Sequence, residues 1–333
     1  MFCRQKESGT PKHLLKKDRV LVSVIIPTFN AQSAIKEQLR KISSQTVRAE
    51  IIVIDSSSND STADIARSLC PNVVSIPKSD FDHGGTRTNA ARLASGELLV
   101  FLSQDAMPAN SHSLENLIRP FRENLRVGAS YGRQLPRHNA SCFASHLRLF
   151  NYPEKSCVRG VEEKKYYGIK TPFISNSFAA YRREALEKTG WFGKNLIMGE
   201  DVCAGARLLI AGYRIAYASG ALVYHSHDYT PWQEFRRHFD IGVFHRSESW
   251  ILDAFGKAAG EGRKYIVSEL AYIIRHKKYR LIPEFFIRNG LKYTGYRLGW
   301  HYRRLPRRLR VAFSMHREWV ISNLGSKVHG GSG

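Results

Sequence analysis

The chain has 333 residues and is 43% hydrophobic, which is enough apolar material to bury a core without disulfide or metal staples. This composition excludes a mini-protein and a disordered chain. Lys and Arg number 51 against 29 Asp and Glu, so the net charge of +22 indicates an anionic partner: nucleic acid, phospholipid or a phosphorylated substrate.

The cysteines and the apolar runs indicate the cellular compartment in which the protein works. Five cysteines are spread along the chain without CxxC spacing, which argues against a disulfide framework and against a structural zinc site. The first twenty residues carry charges where a signal peptide needs an apolar segment, and no apolar run approaches the roughly 18 to 20 residues that span a bilayer. We therefore predict a cytoplasmic protein that is neither secreted nor membrane-spanning.

Val-rich and Ile-rich runs alternate with helical patterns after a basic N-terminal tail over residues 1–18, which we predict to be mobile. The predicted strands cover 20–26, 51–55, 72–76 and 97–103, and the helices between them cover 31–43, 61–69 and 86–95. This alternation predicts an α/β fold with a parallel sheet covered on both faces. A ligand is then expected beyond the carboxyl ends of the strands.

The second half is less regular. Its predicted elements are a strand near 127–134, a helix near 140–150, a helix from about Gly199, and two short strands near 213–218 and 221–225. The character of the sequence changes after Pro231, where helical patterns begin. We predict a catalytic domain over 19–230, a helical region over 231–322 and a flexible tail over 323–333.

The C-terminal region is strongly basic. Residues 261–321 contain fifteen Lys or Arg against four Glu. Their excess of positive charge is half of the net charge of the chain. In 263–280 an apolar face is flanked by basic residues, and Trp300, Tyr302 and Trp319 follow downstream. The apolar face consists of Ile266, Leu270, Ile273 and Ile274. This pattern predicts a membrane-associating surface for anionic lipid, and a basic helical subdomain folded onto the catalytic domain is the alternative.

Polar turns follow the first two predicted strands. The first strand ends in Pro27-Thr28-Phe29-Asn30, and the second ends in Asp55, followed by a run of Ser, Asn and Asp typical of a turn and helix cap. A carboxylate at the position of Asp55 can accept a hydrogen bond from the imino N–H of a uracil or thymine ring. We therefore expect Asp55 to bind a nucleotide base.

Three further motifs carry potential anion or metal ligands. In Phe81-Asp82-His83-Gly84-Gly85-Thr86-Arg87 the glycines permit close approach to an anion and Arg87 can contact phosphate; a turn with a surface Arg is the alternative. Ser103-Gln104-Asp105 follows a buried strand, so Asp105 is placed to hold Mg²⁺ or Mn²⁺ against a diphosphate. His225 and His227 alternate beyond another strand, where they share either a metal or diphosphate site or a structural role.

These motifs, together with Gly199-Glu200-Asp201, occur in an order that resembles the inverting, nucleotide-sugar-dependent glycosyltransferases of family 2 over about residues 20–228. That resemblance implies the GT-A fold, a Rossmann-like, mostly parallel central sheet flanked by helices. FDHGGTR, SQDA and HSHDYTPWQEFRRHFDIGVFH are similar to a branch of rhamnosyltransferases that use dTDP-L-rhamnose to build bacterial surface polysaccharide. The family's usual Asp-x-Asp turn is Ser103-Gln104-Asp105 here, so one carboxylate is missing.

The resemblance implies a role for each matching residue. Asp201 is the expected catalytic base beside Glu200, because an attacking sugar hydroxyl must lose its proton; two acids favouring a helix dipole are the alternative. Asp105 and, by preference, His227 are the expected metal ligands, and Trp191 and Asn176 are the expected acceptor residues. The nucleotide-sugar-binding residues implied are Pro27, Thr28, Phe29, Asn30, Asp55, His83, Gly84, Arg87, Gln104 and Asp105.

The predicted function is transfer of a deoxyhexose, L-rhamnose, from a dTDP-sugar donor to a hydroxyl of a lipid-linked glycan acceptor, with Mg²⁺ or Mn²⁺. The enzyme is expected to be peripheral on the anionic inner face of the cell membrane, in O-antigen or capsule synthesis. A UDP-hexose donor is the first alternative, since Asp55 alone does not separate uracil from thymine. A nucleic-acid-binding protein is the second, but no nucleic-acid module is recognisable, so we expect no nucleic acid partner. The oligomeric state stays open, with a homo-oligomer as one alternative.

Overall fold

The computed structural model describes residues 21–256 and 259–324. Its strands are β1 (Val22–Thr28), β2 (Glu50–Asp55), β3 (Asn72–Ser75), β4 (Leu98–Leu102), β5 (Met107–Pro108), β6 (Val127–Leu135), β7 (Cys157–Arg159), β8 (Phe178–Arg182) and β9 (Arg214–Tyr224). The helices of the first 230 residues are α1 (Ile35–Ser43), α2 (Thr62–Leu69), α3 (His83–Leu93), α4 (Ser113–Glu123), α5 (Cys142–Asn151), α6 (Lys164–Tyr167), α7 (Arg183–Lys188) and α8 (Glu200–Ile210). Those that follow are α9 (Pro231–Ser247), α10 (Ser249–Phe255), α11 (Ala259–Arg275), α12 (Ile282–Trp300), α13 (Arg307–Phe313) and α14 (Arg317–Leu324).

The strands form one sheet in the order β3-β2-β1-β4-β8-β6-β9-β5, with β7 paired to β9. The four strands of the first hundred residues are parallel, as their alternation with helices predicts. Beyond them the sheet is mixed, because β8 runs antiparallel to both β4 and β6, whereas β9 is parallel to β6. The carboxyl ends of β1, β2 and β4 therefore meet at one edge of the sheet.

Each face of the sheet carries its own hydrophobic core. Along β1, Val24 and Ile26 pack with α1 and α4 on one side, whereas Ile25 belongs to the cluster on the side of α3, α8 and α9. Successive strand residues point to opposite faces, so a strand covered on both sides reads as a continuous apolar run. This accounts for the Val-rich and Ile-rich segments and confirms the predicted α/β fold class.

Two details of the second half differ from the sequence prediction. β9 is one continuous strand rather than two short ones, and its pairing with β6 shifts register between Gly132 and Arg133, opposite Ala218 and Leu222. The local irregularity that suggested a break is thus a bulge within the ladder. Helix α4 and strand β8 were not predicted, although the buried apolar residues of α4 have the i, i+3, i+4, i+7 spacing of an amphipathic helix: Leu114, Leu117, Ile118 and Phe121.

From Pro231 onward, all the regular elements that the structure describes are helical. Helices α9 and α12 cross at close range, because a Cβ at Gly295 or Gly299 would collide with the backbone of α9. Phe239 and Val243 of α9 are buried in the same core cluster as the sheet residues. The C-terminal helices are therefore packed directly onto the α/β fold.

Candidate active site

The turns after β1 and β4 are joined at the carboxyl edge of the sheet. Pro27 lies inside β1, and the next turn places the backbone N of Phe29 2.7 Å from Oε1 of Gln104. The Nε2 of Gln104 donates in return to the carbonyl of Phe29 at 3.1 Å. This pair of hydrogen bonds holds the PTFN turn beside the turn that carries Asp105.

Asp55 lies at the end of β2 in a closed hydrogen-bond network. Its side chain is 2% exposed and accepts from the backbone N and the hydroxyl of Ser58 at 3.0 and 2.5 Å, with the Thr28 hydroxyl at 3.4 Å. Asn30, in the left-handed region at φ 50°, accepts at Oδ1 from the backbone N of Asn59. The carboxylate is thus fixed in orientation, and it retains acceptor capacity because each oxygen has two lone pairs.

Asp105, His225 and His227 converge on one point. The Nε2 atoms of His225 and His227 lie 3.3 and 3.4 Å from the two carboxylate oxygens of Asp105, and one ligand atom from each residue lies within 4.8 Å of the others. Burial opposes ionisation of Asp105, but the His225 hydrogen bond and the neighbouring imidazoles outweigh it, so the pKa of Asp105 lies well below its usual range. Burial lowers the pKa of His225, and burial and the His225 charge lower that of His227 to about 4.

This donor set fits a divalent cation. At neutral pH it presents a carboxylate and two neutral imidazoles, the protonation states that a metal requires of its ligands. Nδ1 of His225 lies 2.9 Å from Oε1 of Gln134, an acceptor, so Nδ1 can donate its proton there when the lone pair of Nε2 binds a cation. Arg148 donates to the same Gln134 oxygen at 2.7 Å. The two imidazole nitrogens suit a transition-metal ion better than Mg²⁺, which prefers oxygen ligands.

A second acidic cluster opens helix α8. Gly199, at φ 77°, turns the chain into the helix, and the backbone N of Val202 donates to Asp201 Oδ1 at 2.8 Å. Asn176 contacts both acids: its backbone N lies 3.1 Å from Asp201 Oδ2, and its Nδ2 lies 3.2 Å from Glu200 Oε1. The two carboxylates are therefore held in place by the backbone and by one buried amide.

Arg87 makes the two acids unequal. Its guanidinium lies 3.2 Å from Oε1 of Glu200, and both side chains are largely buried. Burial raises the pKa of Glu200, but the charge of Arg87 overcomes it and lowers that pKa. Burial and the neighbouring charge of Glu200 together raise the pKa of Asp201 well above its ordinary value of 3.8. Asp201 is therefore the more basic carboxylate, and its side chain remains partly accessible.

The FDHGGTR segment opens a helix, as predicted, but the helix begins three residues earlier than expected. Helix α3 begins at His83, and Asp82 caps it by accepting from the backbone N of Gly85. A Cβ at Gly84 would collide with the carbonyl of Gly193, so this glycine allows α3 to pack against a neighbouring loop. Arg87 also donates to the His83 carbonyl at 2.8 Å. Each of these residues therefore has a protein partner, and their contact with a donor stays a prediction.

The structure brings one of the two expected acceptor residues to the acidic cluster. Asn176 is 3% exposed and touches Glu200 and Asp201, as described above. Trp191 contacts other parts of the fold: its carbonyl accepts from Arg207 at 2.6 Å, and its ring lies 5.8 Å from the guanidinium of Arg92. Arg207 is six residues beyond Asp201, about 9 Å along α8. These contacts do not link Trp191 to the acids.

Four residues at the site were not predicted as site residues. His225 had been weighed beside His227 and not preferred, and the structure brings both to Asp105. Gln134 had one signal, a polar side chain in a strand that is otherwise mostly buried. Arg148 and His316 had none; the His316 ring lies 5.5 Å from that of His83, across more than two hundred residues of sequence.

The mixed α/β sheet therefore carries one cluster of potential metal ligands and, separately, one pair of acids with unequal pKa values. The family model for glycosyl transferase family 2 matches residues 23–190, half of the chain. The chain belongs to this family.

Two relatives match over almost their whole length. The O-antigen chain rhamnosyltransferase WbaN of Salmonella anatum is 42% identical over 300 residues, which are 89% of this chain and 95% of the relative. The O-antigen chain rhamnosyltransferase RfbN of Salmonella typhimurium strain LT2 is 41% identical over 301 residues, 90% of this chain and 95% of the relative. A shorter match, 34% over 88 residues, covers 26% of this chain and 35% of the Escherichia coli UDP-Glc:alpha-D-GlcNAc-diphosphoundecaprenol beta-1,3-glucosyltransferase WfaP. The predicted family and enzyme class are thereby confirmed.

Solved structures agree on the fold. The mannosyltransferase PcManGT of Pyrobaculum calidifontis, in complex with GDP-Man and Mn²⁺, superposes with a TM-score of 0.56 at 20% identity, covering 92% of this chain and 86% of that one. The S. aureus TarS fragment 1-349 in complex with UDP-GlcNAc gives a TM-score of 0.51 at 18% identity, covering 85% and 91%. At these identities the comparison supports the GT-A architecture.

Proposed function

We propose that this enzyme transfers L-rhamnose from dTDP-L-rhamnose to a hydroxyl of a lipid-linked glycan, with inversion at the anomeric carbon. The observation that carries the proposal is the similarity, over about 90% of the chain, to two proteins named as O-antigen chain rhamnosyltransferases. The name of the E. coli relative specifies a sugar on diphosphoundecaprenol as that protein's acceptor, which supports a lipid diphosphate carrier here.

On the donor side, Asp55 accepts a hydrogen bond from the imino N–H of the thymine ring, and the turn from Pro27 to Asn30 encloses the nucleoside. Asp105, His225 and His227 would hold a divalent cation, which would supply positive charge against the departing diphosphate. Arg237 adds a positive charge nearby. Its guanidinium lies 5.7 Å from the Tyr229 ring, which stacks on His227 at 5.4 Å, and it has no ion-pair partner among the described residues.

On the acceptor side, Asp201 takes the proton of the attacking hydroxyl as the new bond to the anomeric carbon forms and the bond to the diphosphate breaks. Its raised pKa makes it a better proton acceptor than an ordinary aspartate. Glu200, Asn176 and Arg87 are positioning residues, because they fix the orientation of Asp201 and set its charge environment. Attack from the face opposite the leaving group inverts the configuration.

We assign residues 19–230 to catalysis and 231–322 to membrane association. The side chains that face the lipid differ in part from those that the helical pattern predicted. Ile273 is fully buried and Leu270 packs with it, Tyr302 is buried, and Trp319 packs on the main core. Ile266 and Ile274 of the predicted face are 41% and 46% exposed. The apolar side chains of α11 and α12 that are more than half exposed are Val267, Phe286, Ile287 and Tyr293.

The many Lys and Arg around these side chains favour a peripheral position on an anionic membrane, on the cytoplasmic face. No helix among the described residues has the length and hydropathy to cross a bilayer. In a flotation assay we expect salt-sensitive binding to phosphatidylglycerol vesicles, weaker binding to phosphatidylcholine vesicles, and reduced binding after Phe286→Ser with Ile287→Ser. Equal binding to both vesicles, or a shift of nucleic acid in a gel at the same protein concentration, contradicts the membrane assignment.

The donor is tested by incubating the protein with a lipid-linked acceptor glycan, Mn²⁺, and either dTDP-L-rhamnose or UDP-glucose. We expect rhamnosyl transfer, loss of activity with a chelator, recovery with Mn²⁺, and a glycosidic bond of configuration opposite to that of the donor. Transfer from UDP-glucose alone would keep the fold and mechanism but reject the donor. A product that retains the donor configuration would reject the direct displacement.

A further inference from the structure

A basic cavity lies between the first turn of α5 and the connection from α11 to α12. Its volume is about 700 Å³, within the range of small-ligand sites, and its walls include Ser141, Ser145, Lys277, Lys278 and Arg280. None of its lining residues is acidic. Within the described parts of the chain, the three cations have no ion pair or side-chain hydrogen bond, so their charge is left for an external anion.

The walls of this cavity are held by packing beneath them. Phe143 of α5, Ile273 of α11 and Phe285 of α12 form a buried cluster, with exposures of 6%, 0% and 2%. His146 of α5 is 2.9 Å from the Ser268 hydroxyl of α11, which fixes the same two helices further along. The cations therefore extend from a supported surface, so that less conformational entropy is lost on binding than for a mobile loop.

The cavity adjoins both the metal ligands and the exposed apolar side chains. The backbone N of Ser141 in its wall donates to Oδ1 of Asp228, the residue after His227, at 2.9 Å. On the other side, Tyr279 lines the cavity and is 56% exposed, and Phe286 and Ile287 follow at 64% and 57%. The cavity wall is thus hydrogen-bonded to the residue that follows a potential metal ligand, and an exposed aromatic side chain, Tyr279, lies in the same wall.

We propose that this cavity binds the diphosphate of the lipid-linked acceptor, a proposal that rests on the function proposed above. Three cations in one cavity match a diphosphate, which carries more charge than the single phosphodiester of a bilayer phospholipid. The isoprenyl chain then lies along Tyr279, Phe286 and Ile287 toward the membrane. The attached glycan lies on the side of Asp228 and the reaction site.

Binding is tested directly with farnesyl diphosphate, an isoprenyl diphosphate, in calorimetry with saturating dTDP and Mn²⁺ to occupy the donor site. The test variant combines Lys277→Gln, Lys278→Gln and Arg280→Gln. The control variant combines Lys36→Gln, Arg40→Gln and Arg122→Gln, which removes three exposed cations from α1 and α4. We expect binding by the wild type and the control, a loss of about tenfold or more in affinity in the test variant, and no binding of farnesol.

Three results of this titration overturn the proposal. Equal affinity of the wild type and the test variant shows that the cavity does not hold the diphosphate. Equal loss in both variants shows a nonspecific charge effect. Binding of farnesyl diphosphate that is seen only in a parallel titration without dTDP, and is lost at saturating dTDP, assigns the ligand to the donor site. Because no turnover is measured, these results are independent of whether the enzyme transfers rhamnose.

Kinetics separate the acceptor from bilayer headgroups. With the same glycan on a lipid diphosphate and on a phosphate-free aglycone, we expect the test variant to raise KM about tenfold for the first acceptor alone, with kcat and donor KM unchanged. A variant that loses phosphatidylglycerol vesicle binding but keeps its KM for the lipid diphosphate rejects the proposal in favour of headgroup binding. No transfer by the wild type to either acceptor, with farnesyl diphosphate binding intact, counts against the proposed function and leaves the cavity assignment supported.

Discussion

Asp105 and Asp201 lie at the same region of the sheet in opposite environments. Asp105 faces two imidazoles, which hold its pKa well below the usual range against the effect of burial. Asp201 is partly accessible beside Glu200; desolvation and the charge of Glu200 both raise its pKa, and the nearby cation, Arg87, is paired with Glu200. The comparison shows how one residue type acquires two protonation behaviours: a carboxylate that stays ionised in one cluster and a more basic carboxylate in the other.

The largest effect is expected from removing the proton acceptor. Asp201→Asn keeps the size and the backbone hydrogen bonds but lacks the basic oxygen, so kcat falls by about a thousandfold. The affinity for dTDP with Mn²⁺ stays near that of the wild type, because Asp201 is outside the metal cluster. Asp253→Asn, an exposed acid on α10, is the control and should leave kcat unchanged. Near-normal turnover of Asp201→Asn would remove this residue from the mechanism.

The next largest effect is expected from substitution of Asp105. Asp105→Asn removes the charged ligand between His225 and His227, so we expect Mn²⁺ affinity to fall by about a hundredfold and turnover to fall with it. Electron paramagnetic resonance of Mn²⁺ titrations measures the affinity without turnover. If turnover falls while Mn²⁺ binds as in the wild type, Asp105 is not a metal ligand.

A smaller effect is expected from substitution of Gln134, which contacts the expected metal ligand His225. Gln134→Leu removes the acceptor that fixes the tautomer of His225, so Mn²⁺ affinity is expected to fall by about tenfold, less than for Asp105→Asn. The variant also leaves Arg148 without its 2.7 Å acceptor, so thermal unfolding is recorded in parallel. Unchanged Mn²⁺ affinity in a folded variant would contradict the role assigned to Gln134.

The dependence of kcat/KM on pH tests the raised pKa of Asp201. Since Asp201 must be deprotonated, kcat/KM falls as pH falls through its pKa, and the raised pKa places this acidic limb above 3.8, the ordinary value for aspartate. Glu200→Gln removes the like charge and frees Arg87, and both changes lower the pKa of Asp201. The acidic limb is therefore expected to move to lower pH, by about one unit. A shift to higher pH would contradict the electrostatic account.

The smallest effect is expected at Trp191. Because its contacts are with Arg92 and Arg207, Trp191→Phe should change acceptor KM by less than about twofold while lowering thermal stability by an amount typical of a partly buried aromatic. Saturation kinetics with a fixed donor concentration check this. A large rise in acceptor KM at unchanged stability would restore Trp191 to the acceptor site.

The parallel half of the fold could be predicted from sequence because its signals are local. Continuous apolar strands, caps and polar turns located β1, β2 and β4 and the residues at their ends, including Asp55 and Asp105. The motif Gly199-Glu200-Asp201 was also local, and its place at the start of α8 is as expected.

What escaped prediction depends on contacts between distant segments. The sequence favoured His227 over His225 as a metal ligand. Recognising His225 as well required knowing that it contacts Gln134 on β6, ninety-one residues away. The pairing of Arg87 with Glu200, which sets the charge of the acidic cluster, joins α3 to α8. The apolar face of α11 was split between core and solvent by Phe285 of α12, which no pattern within α11 reveals.

The division of labour between the two acids is tested most directly by calorimetric titration of dTDP, with and without Mn²⁺, into the wild type, Asp105→Asn and Asp201→Asn. The account predicts that Mn²⁺ tightens dTDP binding in the wild type and in Asp201→Asn, and that this enhancement is lost in Asp105→Asn. Metal-enhanced binding in Asp105→Asn equal to that of the wild type would contradict it.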